Sequence, residues 1–178
     1  MYKLFLCIFS FTLCYLAPTH VKAQKILMIF VEGEFSQTIK DRTKPNNIRG
    51  YGLGAEAILR TKTKFSPLVN FSSEFIFLDD KVYRTNADGS EMTSIGRVVN
   101  LQFGTNYTLY RNLYVGLVAG PSFINGQTLA GIKPSIGFYF PRSKRAVVKI
   151  SHMTIFNRNS GKKENYSSLL FSVGVRLF

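Results

Sequence analysis

Tryptophan is absent from the 178-residue chain, and cysteine and histidine occur twice each. Cys7 and Cys14 both fall within the first 23 residues, which read as a cleavable leader. A mature chain starting near Gln24 then has no disulfide framework and no thiolate metal site. His20 leaves with the same segment, so His152 stands alone and no metal cluster, and no cofactor, is expected. Beyond the leader there is no apolar run of 18 residues, which excludes spanning helices, and helical periodicity is scarce. Acidic residues are few, 10 against 23 Lys plus Arg. Loss of Lys3 and Lys22 with the leader leaves the mature chain at +11.

The leader itself is defined by a positive start at Lys3, an apolar run from Leu4 to Leu16 broken by Ser10 and Thr12, and Val21-Lys22-Ala23 at the cleavage position. The run is too short to span a bilayer as a helix, which takes about 20 apolar residues. Phe11-Thr12-Leu13 lacks the small residue that precedes a lipidated cysteine, which argues against Cys14 as an anchor. Residues 1–23 are therefore assigned to a signal peptide and residues 24–178 to one domain. A basic exported protein meets little nucleic acid, and its cations do not cluster on one helix. Anionic lipid headgroups or lipopolysaccharide phosphates are the expected partners.

What the chain does have is a period of two. In the last strand, Tyr166 to Phe178, Leu169, Phe171, Val173, Val175 and Leu177 alternate with Leu170, Ser172, Gly174 and Arg176. Similar runs are read over about Lys25–Phe35, Arg49–Arg60, Ser66–Leu78, Arg97–Leu109, Asn112–Ile124, Ala130–Phe140 and Arg145–Phe156. That makes eight strands. The first is apolar on both faces over Ile26 to Val31, so its phase is open. The links take turns in length: Gln37–Ile48 and Asp79–Ser94 are long, Thr61–Phe65 and Tyr110–Arg111 short, Asn125–Leu129 middling, Pro141–Lys144 short, and Asn157–Asn165 longer. An all-β, antiparallel up-and-down barrel crossing a membrane has this rhythm, with tight turns on one rim and loops on the other.

Alternation alone does not say which face points inward. A soluble barrel, for example a secreted lipocalin-like carrier, would present Lys, Glu and Thr to water on its polar face. Here that face is mostly Gly, Asn, Gln and Ser with isolated charges, residues that suit a narrow lumen. The opposite face is rich in Phe, Val, Leu and Tyr, as lipid contact requires. Glu56, Arg60, Glu74, Asn100, Gln102, Lys133 and Lys149 are expected inside, as a salt-bridged plug rather than a path for small solutes. Without Trp, interfacial girdles fall to Tyr51, Tyr107, Phe123, Phe140, Phe156 and Tyr166.

The leader, the eight alternating strands, the loop rhythm and the terminal Phe178 together resemble the small OmpA/OmpX-type outer-membrane barrels of Gram-negative bacteria. The resemblance implies an outer-membrane location, engagement of the barrel-assembly machinery with Phe178 as assembly signal, and a role exercised through outer loops toward a surface ligand. Phe178 is out of step with Val173, Val175 and Leu177, and a bulge near Arg176 would restore its phase. Basic loop positions Lys40, Arg42, Lys44, Arg158, Lys162 and Lys163 are the expected anion-binding groups.

One constellation suggests chemistry. His152 and Thr154 share a strand face, and Glu164 follows the next loop, so an imidazole, a hydroxyl and a carboxylate are available. The arrangement is similar to the lipid A 3-O-deacylase barrels, whose motif is His-x-Ser then Asn; here Thr154 stands for Ser and Ile155 for Asn. The alternative reading is an interfacial His and Thr beside a solvated Glu164. Gly50-Tyr51-Gly52-Leu53-Gly54 lies in a strand and precedes no helix, so it is not a phosphate loop.

Overall fold

A computed structural model describes residues 27–40, 49–76, 84–85, 87, 91–92, 96–124, 126–140, 145–159 and 164–177. The strands are β1 (Leu27–Lys40), β2 (Arg49–Leu59), β3 (Phe65–Ile76), β4 (Arg84–Thr85), β5 (Glu91–Met92), β6 (Arg97–Tyr110), β7 (Leu113–Ile124), β8 (Gln127–Tyr139), β9 (Ala146–Asn159) and β10 (Glu164–Arg176). Eight of them close into a barrel in the order β1-β10-β9-β8-β7-β6-β3-β2, with β4 and β5 paired separately between β3 and β6. Every barrel neighbour is antiparallel. The eight expected strands are all present, and the chain's first and last strands seal the sheet. Their register runs from Phe30 opposite Arg176 to Lys40 opposite Ser167, and Leu177 N–H adds a bond of 2.8 Å to Ile29 C=O.

Strand ends differ from the sequence reading at one rim. β1 runs on to Lys40 because Glu32, Glu34, Ser36 and Thr38 continue the inward phase, so the polar residues read as a loop are strand. β8 begins at Gln127, and the expected middling link becomes a tight hairpin in which Gly126 takes φ +76°, a conformation glycine adopts without strain. β9 and β10 likewise extend toward each other. The register beside Arg176 is unbroken, so β10 carries no bulge there, and Phe178 lies outside the described residues.

The faces divide as lipid contact requires. Phe71, Leu101 and Leu117 are 46%, 36% and 50% exposed, whereas Ser72, Asn100 and Gln102 are fully buried. A soluble carrier would reverse this pattern, and its cavity would not be occupied by amides and carboxylates. The inner face is not polar throughout, however. Met28, Phe30, Ile58, Leu68, Tyr114, Val118 and Val147 form one apolar cluster, packed with Tyr139. Ile76, Val98, Ile124, Met153, Ile155, Tyr166 and Leu170 form another. Tyr166, expected in a girdle, belongs to this second cluster. It is opposite Ile155 and shares the inward phase of Ser168 and Leu170. Tyr51, Phe123, Phe140 and Phe156 do face outward, and Tyr107 is half-buried.

β6 and β7 approach most closely at two glycines. A Cβ on Gly104 would collide with the Leu117 carbonyl oxygen and lie 2.7 Å from Val118 Cα; one on Gly120 would collide with the Leu101 carbonyl oxygen. Backbone cannot swing aside as a side chain does. Gly33, by contrast, has open space around its missing Cβ. Gly104→Ala is therefore expected to destabilise the folded barrel by about 1–3 kcal/mol, the usual cost of overpacking. Gly33→Ala should stay within about 0.5 kcal/mol of the parent. Urea unfolding in lipid vesicles measures both, and equal stabilities would contradict the close approach.

Candidate functional site

The inward positions of six strands build a polar belt between the two apolar clusters. Lys149, from β9, reaches across the bore and donates hydrogen bonds of 2.9 Å to both Glu32 Oε1 of β1 and Glu56 Oε2 of β2. Lys133, from β8, donates to Asn70 Oδ1 at 2.6 Å and lies 3.9 Å from Glu34 Oε1. Asn100 Nδ2 donates to Ser72 Oγ at 3.1 Å and to Glu74 Oε1 at 3.4 Å. Gln102 Nε2 points to Met153 Sδ at 3.6 Å. The belt thus holds four carboxylates and two ammonium groups among the described residues, all buried. Lys149 pairs two of the carboxylates and Lys133 approaches a third, which lowers the cost of burying them, while Glu74 is held by Asn100.

Glycines make room for these long side chains. On β2 a Cβ at Gly50 would sit 2.6 Å from Ser36 Oγ, at Gly52 3.1 Å from Glu74 Cγ, and at Gly54 3.3 Å from Glu34 Oε1. Gly50, Gly52 and Gly54 therefore form a trough in which carboxylates from β1 and β3 lie over β2. Gly137 does the same for the Tyr114 ring, which stacks on Tyr139 at 4.7 Å between centroids. Belt and clusters together fill the bore, so the arrangement favours a plug over a solute path.

The structure places Glu56, Glu74, Asn100, Gln102, Lys133 and Lys149 in this belt. Arg60 is not among them. β2 ends at Leu59, and Arg60 is exposed at the rim carrying the short turns, where it borders a cavity. The belt also contains two acids the sequence reading did not single out, Glu32 and Glu34. Their spacing of two, continued by Ser36 and Thr38, was the signal, and it was masked by the apolar run before them.

His152 and Thr154 both point outward, and His152 is engaged by a residue outside the expected constellation. Its Nε2 lies 2.8 Å from Ser167 Oγ on β10. Leu169 faces His152 while Glu164 pairs with Asn159, five residues further along β10, a backbone separation of about 16 Å at strand rise. The register therefore keeps the carboxylate-bearing residue away from the imidazole. Lys40 ends β1 and is exposed. Arg42, Lys44, Lys162 and Lys163 lie outside the described residues, as do the side chains of Arg158 and Glu164. No group of His, Cys, Asp and Glu suited to a metal occurs among the described residues.

No protein-family model matches the chain, and no curated protein matches it. Solved structures do. Neisserial surface protein A is similar over 87% of this chain and 98% of its own, with 12% identity and a TM-score of 0.55. The attachment invasion locus protein of Yersinia pestis, an outer membrane protein, is similar over 85% and 97%, with 10% identity and a TM-score of 0.50; that structure is a complex with the heparin analogue sucrose octasulfate. A de novo designed transmembrane β-barrel is similar over 88% of this chain and 100% of its own, with 9% identity and a TM-score of 0.51. The shared feature is the fold, that of small transmembrane barrels.

Lys149 is the belt's most connected cation. Lys149→Met strands Glu32 and Glu56 as uncompensated buried charges and is expected to cost about 3–5 kcal/mol. Adding Glu32→Gln and Glu56→Gln should recover most of that loss. Urea unfolding in vesicles reads both variants, and a Lys149→Met barrel as stable as the parent would contradict the pairing.

Proposed function

We propose that this barrel resides in the outer membrane and acts through the rim that bears residues 41–48, 77–96 and 160–163, in a structural or surface-binding role. The observation that carries the reading is the filled bore: with a polar belt flanked at both ends by apolar clusters, the working surface is left to the loops rather than the lumen. Lys40, Arg42, Lys44, Arg158, Lys162 and Lys163 make the first and last of those links basic and suited to phosphate or sulfate groups, whereas residues 77–96 hold four acids against two cations. Lipopolysaccharide phosphates are the nearest such partners for an outer-membrane rim. The complex of the attachment invasion locus protein with a heparin analogue illustrates a polyanion held by a barrel of this fold. A hydrolase acting through His152, Thr154 and Glu164 is less favoured, because His152 is engaged by Ser167 and Glu164 is distant in register.

This reading is tested in two steps. The folded protein should partition with outer-membrane fractions, resist carbonate extraction and shift its gel mobility on heating; release by carbonate would contradict it. Neutralising Lys40, Arg42, Lys44, Arg158, Lys162 and Lys163 to Gln should weaken binding to lipopolysaccharide vesicles at least tenfold at low salt, with planar-bilayer recordings free of discrete conductance steps. Unchanged binding would remove the loop assignment, and discrete channels would remove the plug.

A further inference from the structure

The rim opposite those loops has its own concentration of positive charge. The β2–β3 turn, residues 60–64, and the β6–β7 turn, Arg111 and Asn112, border a cavity of about 260 Å³. Arg60, Lys62, Lys64 and Arg111 all line it, and no described acidic residue does. The nearest inward carboxylate on β2, Glu56, is held by Lys149 further along the bore. The floor is apolar and aromatic, from Met28, Ile58, Tyr114 and Tyr139.

One neutral group adds to the lining. Asn106 is buried, its residue 5% exposed, and its Nδ2 has no hydrogen-bond partner among the described residues. Buried donors are ordinarily satisfied, so one left open beside a cavity favours a ligand or water that accepts from it.

The walls are also set in place. In the β2–β3 turn, Thr63 N–H donates to Thr61 Oγ1 and Phe65 N–H to Thr63 Oγ1, each at 3.2 Å, and the Thr61 hydroxyl donates to Phe65 C=O. In the other turn Arg111 has φ +34°, in the left-handed region that glycine occupies with less strain. Its guanidinium lies 5.5 Å from the Tyr110 ring centroid, a cation–π distance. A strained backbone position occupied by a long cation points to use of that side chain.

From this we infer that the short-turn mouth is a binding site for a small oxyanion, specifically a phosphate group. Mutual repulsion of the four cations is relieved by an anion between them, Arg60 and Arg111 offer forked donors that match tetrahedral oxygens, and Asn106 supplies a neutral donor. The cavity is smaller than the roughly 300–1,000 Å³ of sites for drug-sized ligands, which suits a phosphate with little attached. The phosphate is either free in solution or part of a lipid headgroup at the same rim.

The test uses the mature barrel folded in octyl glucoside micelles, which contain no phosphate, titrated calorimetrically with inorganic phosphate. Saturable one-site binding is expected, weakened at least tenfold by Arg60→Gln and by Arg111→Gly and about threefold by Asn106→Ala. Arg97→Gln, at the opposite rim, should bind as the parent does. Arg111→Gly relieves the turn and Arg60→Gln changes an exposed rim residue, so both should fold, as heat-modifiable mobility will report. Repeating the titration in nanodiscs with and without phosphatidylglycerol separates the sources. Loss of phosphate binding only when phosphatidylglycerol is present assigns the site to a lipid headgroup, and unchanged binding assigns it to soluble phosphate. Absence of saturable binding by the parent, parent-like affinity in the Arg60→Gln and Arg111→Gly variants, or an equal loss with Arg97→Gln would overturn the inference.

Discussion

Closure of the sheet by β1 against β10 is the constraint on which the rest of the molecule depends. Hydrocarbon offers no hydrogen-bond partner, so a strand edge left open in lipid would strand a row of N–H and C=O groups at a cost of several kcal/mol each. The register from Phe30–Arg176 to Lys40–Ser167 removes that edge. It also dictates the topology: eight strands in hairpin sequence bring both ends of the described barrel to one rim, beside the short turns. Once the sheet is closed, one phase of every strand must face out, and Phe71, Leu101 and Leu117 do so.

The same closure produces the interior. An eight-stranded barrel leaves a bore just wide enough for side chains to fill. Residues that are free to be large, charged or absent then have to be fitted against each other. Lys149 spans from β9 to Glu32 and Glu56, and the β2 glycines give way to Glu34, Ser36 and Glu74. Apolar clusters flank this belt at both ends, and its burial strengthens each ion pair and makes an unpaired charge costly. The proposed function accordingly sits at the rims. One carries the longer links, and the other a compact basic cavity between two tight turns.

How much of this could be read beforehand depended on whether a residue type was diagnostic of its phase. Asn100, Gln102, Glu74 and Lys149 stand among regular apolar neighbours, and period two placed them inside without ambiguity. β1 was harder, because Met28 and Phe30 point inward as apolar residues in a strand whose outward positions are equally apolar, so Glu32 and Glu34 went unassigned. Tyr166 misled for the same reason: an aromatic near a strand end suits a girdle, yet an inward apolar cluster takes it just as well. Arg60 was placed inside by extending β2 one residue too far. The trough formed by Gly50, Gly52 and Gly54 was visible as a pattern, but its purpose depends on side chains from two other strands and therefore on register. The His152–Ser167 contact and the cavity between the two turns are of that kind too, since strand pairing alone brings their parts together.

The orientation of the oily face is the central claim, and, because Cys7 and Cys14 both precede β1, single cysteines placed in the barrel give a direct way to measure it. Single cysteines placed in turn at positions 98 to 103 of β6, labelled with a small fluorophore and folded into vesicles of brominated lipid, report contact with acyl chains. Strong quenching at 99, 101 and 103 with little at 98, 100 and 102 is the predicted result. Quenching in the opposite phase, or equal at all six positions, would contradict a lipid-facing barrel.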